Sequence, residues 1–135
     1  MRTATAALAC VAAVLTAPLA SAEPTTVTPP EIPPTPGEVF TNDPSILDPH
    51  SMPVESWSRV GAAGDVLALH FWTGTPECYG VDASVHETPE TITVELRGGT
   101  RPDAMGRACI AIAVSGTLEV PLASPIGDRQ VLSVY

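Results

Sequence analysis

Cys78 is the residue of this sequence with the widest choice of chemistry. It lies in the stretch TGTPECYGVD, between two glycines, and Cys109 follows about thirty residues later. A cysteine in such a place is a nucleophile, a metal ligand or half of a disulfide. A nucleophile needs a base that lowers its pKa, and His70 and His86 are the candidates. Neither histidine belongs to a local motif of a known catalytic cysteine.

The histidines and carboxylates also raise the question of a metal site. Asp82 and His86 share one face of a predicted strand, but residues four apart on a strand are about 13 Å apart, too far for one ion. His50 lies two residues before Met52, a pair that suits copper by ligand softness. Neither pair has the clustered spacing of a metal motif. We therefore predict surface histidines, no bound metal and no cofactor.

Other catalytic sets are missing from the sequence. It contains no G-x-S-x-G, no S-x-x-K and no lysine at all. The fifteen acidic residues are spread along the chain without a spacing that pairs any two of them. We therefore expect a protein that is not an enzyme.

The first 22 residues predict a secretory signal peptide. Arg2 precedes an apolar run from Ala6 to Ala17, and Ala20-Ser21-Ala22 forms an A-x-A site for cleavage before Glu23. The run is shorter than the roughly 20 residues of a membrane-spanning helix, and no second run follows. We expect a protein that does not span the membrane and is secreted or associated with the cell envelope after cleavage near Ala22.

The chain that remains after cleavage is strongly acidic. It has five arginines, no lysine and all fifteen acidic residues, which gives a formal charge of −10. Nucleic acids and anionic lipids are bound through lysine and arginine at phosphates. The composition therefore excludes nucleic-acid binding as the expected function.

Export explains the two cysteines that remain. An even number of cysteines in an oxidising compartment predicts a disulfide, here between Cys78 and Cys109. In the chain-entropy model, a closed loop of this size stabilises a fold by about 3.5 kcal/mol. A structural disulfide is the prediction, with a reactive thiol and a metal ligand as the alternatives.

The sequence divides into two parts after the signal peptide. Residues 23–53 contain nine prolines among 31 residues, which predicts a disordered, extended arm or linker. Residues 54–135 contain short apolar-alternating runs between turn residues, as in all-β domains. The predicted strands are 54–60, 65–72, 79–86, 91–97, 108–114, 117–122 and 130–134.

The strand pattern places particular side chains. Ile92, Val94 and Leu96 are predicted to face the core, as are Val81, Ala83 and Val85 across a hairpin at 87–90, whereas Asp82, Ser84 and His86 point outward. Seven short strands favour a small immunoglobulin-like two-sheet sandwich with one disulfide. Trp72 is expected to pack on that bond, and the alternative is that Trp72 and Tyr79 are exposed beside their loop and anchor a ligand or partner. A turn at 124–127 is followed by Asp128 and Arg129, which we expect to form an ion pair.

A family resemblance rests on several of these stretches. FWTGTPECYGVDASVHETPETITVELRGG, then Ala108-Cys109, then LEVPLASPIGDRQV resemble a family of uncharacterised exported proteins and lipoproteins of actinobacteria. The resemblance covers about residues 56–134. It implies export, one compact domain and the pairing of Cys78 with Cys109, and it implies no activity.

We expect a noncatalytic exported protein, a monomer that binds an unidentified protein or envelope component. The predicted binding loops lie around 72–78 and 98–107. Their candidate residues are Trp72, Pro76, Glu77, Tyr79, Arg101 and Arg107. The alternatives are a secreted inhibitor of a hydrolase, through Arg101 or Arg107, and a small metal-carrying protein.

Overall fold

The computed structural model describes residues 21–135, which form nine strands and one short 3-10 helix. The strands are β1 (Thr26–Val27), β2 (Glu38–Phe40), β3 (Leu47–Met52), β4 (Ser56–Val60), β5 (Val66–Thr73), β6 (Tyr79–Glu87), β7 (Thr91–Thr100), β8 (Val114–Pro121) and β9 (Gln130–Val134), and the 3-10 helix is Pro102–Ala104. This architecture confirms the predicted all-β two-sheet sandwich with one disulfide. The predicted signal peptide lies, apart from residues 21 and 22, outside the described residues.

The strands form two sheets. Sheet A contains β6, β7, β3, β9 and β1, and sheet B has the order β2-β8-β5-β4. The long strand β7 pairs along its whole length with β6, while its other edge is shared between antiparallel β3 and parallel β9. Parallel pairing also joins β2 to β8.

The core lies between the two sheets and follows the predicted alternation. Ile92, Val94 and Leu96 of β7 are fully buried, as is Val81 of β6. Ala83 and Val85 are partly buried against the same cluster. Sheet B contributes Trp57, Leu67, Leu69, Phe71 and Leu118. Each large side chain buried in this way stabilises the fold by about 1.5–3 kcal/mol.

The predicted hairpin joins β6 to β7 through Thr88–Glu90. The Thr88 hydroxyl accepts hydrogen bonds from the amides of Glu90 (3.2 Å) and Thr91 (2.9 Å), which fixes the turn. On the outer face of β6, Ser84 and His86 are exposed as predicted. Asp82 also lies on that face, but Arg97 and Asn42 cover it through an ion pair and a hydrogen bond of 3.0 Å.

The predicted arm differs from the structure, because residues 23–53 belong to the sandwich. They contribute strands β1, β2 and β3, and they bury Phe40, Ile46 and Met52. Proline removes an amide donor but leaves its carbonyl and its neighbours' amides able to pair, so a proline-rich chain can still lie along the edge of a sheet. The high proline content favoured a disordered arm, although Phe40, Ile46 and Met52 between the prolines pack into the core.

This segment covers strand edges in both sheets. β1 pairs with β9, β2 with β8, and β3 with half of β7. Residues 30–32 exchange backbone hydrogen bonds with Trp57 of β4, and the amide of Asp43 donates to the carbonyl of Val81 in β6. Unpaired strand edges invite pairing with other chains, and covering them prevents it.

Residues 32–37, which we call the strap, cross the outer face of sheet B. Glu31 pairs with Trp57 at the β4 edge, whereas Glu38 pairs with Gly116 of β8 near the opposite edge. The seven steps from Glu31 to Glu38 span about 22 Å in a polyproline helix. The crossing from the outer side of β4 to β2 covers four strand spacings and needs about 19 Å. A Cβ atom at Gly37 would lie 3.0 Å from the Thr117 hydroxyl, which places the strap on that face.

Beneath the strap, His70 forms a short chain of polar contacts. Its Nε2 lies 2.7 Å from the Ser58 hydroxyl and its Nδ1 lies 3.1 Å from the Thr117 hydroxyl. His70 and Ser58 are both buried. Burial lowers the pKa of His70, which favours the neutral ring with one donor and one acceptor nitrogen. Ser58 and His70 therefore form a hydrogen-bonded pair that is largely shielded from solvent.

The turn after β8 is held by a different ion pair from the predicted one. Arg129 contacts Glu87 (2.8 Å) rather than its neighbour Asp128 and also donates to the carbonyls of Ser124 and Pro125. Glu87 in turn accepts a hydrogen bond from the amide of Ala123 (2.8 Å). That amide first, and Arg129 second, lower the pKa of Glu87. These contacts tie the turn to the β6–β7 hairpin.

Among residues 21–135, no helix has the length and apolar character needed to cross a membrane.

We predict that the covered histidine makes stability depend on pH. The pKa of His70 is lower in the folded chain than in the unfolded one, so its contribution is complete above the unfolded pKa of about 6.5 and decreases as the pH falls below it. The free energy of unfolding, measured by urea denaturation between about pH 7.5 and 5.5, should fall by at most about 1.4 kcal/mol per pH unit from this group.

The His70→Asn variant should be less stable but lose this slope, and His86→Asn at an exposed position should keep it. Asp43, Glu87 and Asp103 also have lowered pKa values, but these carboxyl groups change stability only at more acidic pH, so they do not contribute to the slope between about pH 7.5 and 5.5. An unchanged slope in the His70 variant would contradict the assignment.

Candidate functional site

The Cys78–Cys109 disulfide joins two loops at one end of the sandwich. Cys78 ends the turn between β5 and β6, and Cys109 lies between the 3-10 helix and β8, with the two Cα atoms 6.2 Å apart. This confirms the predicted pairing. Cys78 is buried and disulfide-bonded, so in this oxidised form it is neither a free thiol nor a metal ligand.

The turn that carries Cys78 is fixed by its own contacts. The Thr75 carbonyl accepts hydrogen bonds from the amides of Cys78 (3.1 Å) and Tyr79 (2.9 Å). A Cβ atom at Gly74 would lie 2.1 Å from the Tyr79 ring, so only glycine allows the ring to pack there. Tyr79, predicted as a binding residue, therefore lies half-buried against its own turn.

Arg101, another predicted site residue, holds the loops together. Its guanidinium donates to both carboxylate oxygens of Asp103 (3.0 and 3.1 Å) and to the Pro76 carbonyl (3.4 Å). The hydrogen bond from Arg101 lowers the pKa of Asp103, and the same contact raises the pKa of Arg101. The guanidinium of Arg101 is thus already paired with groups of the same chain. Arg107 and Glu77 are exposed and form no salt bridge within residues 21–135.

The second predicted loop, residues 98–107, is shorter than expected. Gly98 and Gly99 are buried inside β7, where a Cβ atom at Gly99 would lie 2.6 Å from the Leu47 carbonyl. They allow β3 to approach β7 closely and do not make the loop mobile. The loop begins after Thr100, and its Gly106 has the left-handed φ of 75° that favours glycine.

Residues 108–113, which we call the arch, do not form the predicted strand 108–114. β8 begins only at Val114, whose partner is Thr73, the last residue of β5. β5 turns away at Gly74, so the arch has no neighbouring strand in the described chain. Its apolar side chains are open to solvent: Ile110 is 62% exposed and Ile112 is 52% exposed.

Trp72 is exposed beside the arch and does not pack on the disulfide as predicted. It alternates with Phe71 on β5, so Phe71 faces the core while Trp72 points outward and is 60% exposed. The core tryptophan is Trp57, whose indole Nε1 donates to the Pro29 carbonyl (3.1 Å). This interior position could not be distinguished from that of Trp72 by composition alone.

Two shallow grooves run along the sides of the arch and share Ile110 and Ile112. The aromatic groove, of about 390 Å³, is also lined by Trp72 and Tyr79. The acidic groove, of about 370 Å³, lies beside the disulfide and is lined by Glu38, Glu77 and, at one end, Arg107. The arch and its two grooves form the candidate binding surface.

Other parts of the surface offer less. A depression of about 660 Å³ lies over the turn at 123–129, where Arg129 and Glu87 pair with each other. Within residues 21–135, no three side chains of the His, Cys, Asp and Glu types come close enough to hold a metal ion. His50 and Met52 both approach the position that a Cβ atom at Gly98 would occupy, yet they provide only two donors.

The predicted binding loops lie at the same end of the molecule as the arch, but Ile110 and Ile112 were not among the predicted binding residues. The alternation of isoleucine and alanine in 110–113 is the pattern of a paired strand, and it gave no sign that the partner strand ends first. The one residue that could have indicated the end of β5 is Gly74, which follows Thr73, the partner of Val114.

We predict that the disulfide stabilises this end of the sandwich. Replacing both cysteines, Cys78→Ser with Cys109→Ser, should lower the free energy of unfolding by about 3.5 kcal/mol, because the unfolded chain regains the entropy of the closed loop. Urea denaturation with and without a reductant measures the difference. The reductant should destabilise the natural protein and leave the double variant unchanged, and equal stability of the two oxidised proteins would contradict the prediction.

Comparison with known proteins finds no family model, no curated protein and no solved structure that matches this chain. The resemblance to exported actinobacterial proteins therefore stays a prediction, and the proposed function rests on the surface described above.

Proposed function

We propose that this chain is a noncatalytic exported binding module and that the arch with its two grooves is the surface that contacts its partner. The observation that carries the proposal is the joint exposure of Trp72, Ile110 and Ile112 beside a disulfide. Large apolar side chains grouped on a surface mark interaction sites more often than isolated ones do. Tryptophan is also enriched among residues that dominate binding energy.

The rigidity of the neighbouring loops supports the same proposal. The Thr75 turn, the Arg101–Asp103 pair and the disulfide fix both sides of the surface before any partner binds. A preorganised surface loses less conformational entropy on binding than a flexible one. The partner should therefore meet the arch in the conformation seen here.

We further propose that the protein works outside the cytoplasm, secreted or held in the envelope after cleavage near Ala22. A disulfide is compatible with an extracellular location, since such bonds persist in oxidising compartments. A hydrolase inhibitor that acts through Arg101 is disfavoured, because this side chain would have to leave Asp103 and the Pro76 carbonyl to enter a protease site.

Site-specific photocrosslinking tests the proposed surface. A benzophenone amino acid replaces Trp72 or Ile112 in the producing cells, and irradiation should give a discrete adduct with one partner from both positions. The control places the same amino acid at Glu95, which is exposed on β7 in the other sheet. The absence of adducts, or identical adducts from Glu95, would contradict the proposal.

A further inference from the structure

The arch differs from other exposed apolar segments of the chain because its backbone is also unpaired. Within the described residues, its amides and carbonyls form no backbone hydrogen bond with a neighbouring strand, although the chain continues directly into β8. β5 ends opposite Val114, and β2 begins only opposite Gly116. Both edges of the arch are therefore open to an added strand, the kind of contact that PDZ domains make with extended peptides.

The residue types of the arch suit such pairing. Paired as a strand, the arch would point Ile110 and Ile112 to one side of the backbone and Ala111 and Ala113 to the other. Isoleucine has high strand propensity, and the arch carries no charge and no proline that would block an added strand. The side chains of a bound strand would alternate between the isoleucine side and the alanine side.

Charge indicates which strand fits. Four arginines, at positions 59, 97, 101 and 129, form salt bridges with four of the fifteen acidic residues. Glu38 and Glu77, which line the acidic groove next to the arch, form no salt bridge within residues 21–135. Arg107 is the one positive side chain along that groove. The groove thus presents two carboxylates and one arginine, a formal charge of −1, to whatever pairs with the arch.

Resting on the proposed binding function, we infer that the partner is a protein with an extended segment of alternating apolar and basic residues, which adds a strand along the arch. Its backbone pairs with residues 110–113, its apolar side chains cover Ile110 and Ile112, and its basic side chains lie near Glu38 and Glu77. A second copy of this chain is the weaker occupant. Two copies paired here would bring both acidic grooves together in proteins that each carry a formal charge of −10 after cleavage.

Labelled peptides test the inference with the purified protein. The probes are an alternating basic peptide of about eight residues, KVTVKVTV, its acidic counterpart EVTVEVTV, and the basic peptide with alternate amides N-methylated to remove one edge of donors. Fluorescence polarisation measures binding, and amide chemical shifts locate it. The basic peptide should bind at least about tenfold more tightly than either of the others and should shift the amides of 110–113.

Salt and matched variants test the charge assignment. Raising the salt concentration from about 50 mM to about 500 mM should weaken binding of the basic peptide, because screening reduces its attraction to the carboxylates. Glu38→Gln combined with Glu77→Gln should lower its affinity about tenfold and reduce the salt effect. Glu95→Gln, on the exposed face of sheet A, is the matched control and should change neither. Ile112→Asp should weaken binding while leaving the melting temperature unchanged, since this side chain lies outside the core.

Three outcomes would overturn the inference. Equal binding of the basic and acidic peptides, or an equal effect of Glu95→Gln, would remove the charge assignment. Tight binding of the N-methylated peptide would remove strand addition. Dimers in analytical ultracentrifugation that Ile112→Asp dissociates would make a second copy the occupant. If crosslinks form at Ile112 while no peptide binds, the binding function stands and the partner described here is wrong.

Discussion

The need to cover the backbone at sheet edges governs this structure. A strand at the edge of a sheet exposes a row of amides and carbonyls that pair with any available chain. Here the proline-rich segment covers such edges on β9, β8, β4 and β6. Proline suits this role, since it can lie along an edge yet offers no amide of its own for a further strand.

The strap shows how the same segment serves both sheet edges. To pass from β4 to β8, the chain must cross sheet B, and the extended polyproline conformation covers that distance in few residues. On the face that the strap crosses, Ser58 and His70 are buried, although His70 was predicted to be a surface histidine. The stability of the protein is thus linked to the protonation of His70.

The arch is the exception to this covering. The disulfide at Cys109 fixes one end of it and β8 fixes the other, and no strand of the described chain lies beside residues 110–113. An apolar, unpaired segment is an aggregation hazard unless a partner covers it. We regard the exposed arch, next to Trp72 and two carboxylates that form no salt bridge within residues 21–135, as the physical basis of the proposed binding function.

The sequence predicted those features that depend on local periodicity. The alternation in β7, the β6–β7 hairpin and the parity of the cysteines led to the right core residues, the right fold class and the right disulfide. It could not predict features that depend on where a distant partner ends. The strand at 108–114 failed because β5 stops at Thr73, and the linker at 23–53 failed because Phe40, Ile46 and Met52 find core positions that proline content does not reveal.

Arg129 illustrates the same limit for charges. Its sequence neighbour Asp128 was the obvious partner, but the fold brings Glu87 of the hairpin closer. The site residues divide in the same way: Arg101 and Tyr79 are used within the protein, whereas Trp72, Glu77 and Arg107 remain on the surface.

Hydrogen exchange of the free protein tests the central claim most directly, namely that the arch is unpaired and open. Amides of residues 110–113 should exchange within about tenfold of their intrinsic rates, while those of Leu69 and Leu96 exchange only on global unfolding. Protection of the arch amides comparable to that of β8 in the monomeric protein would contradict the account, because it would mean that the chain itself already covers this edge.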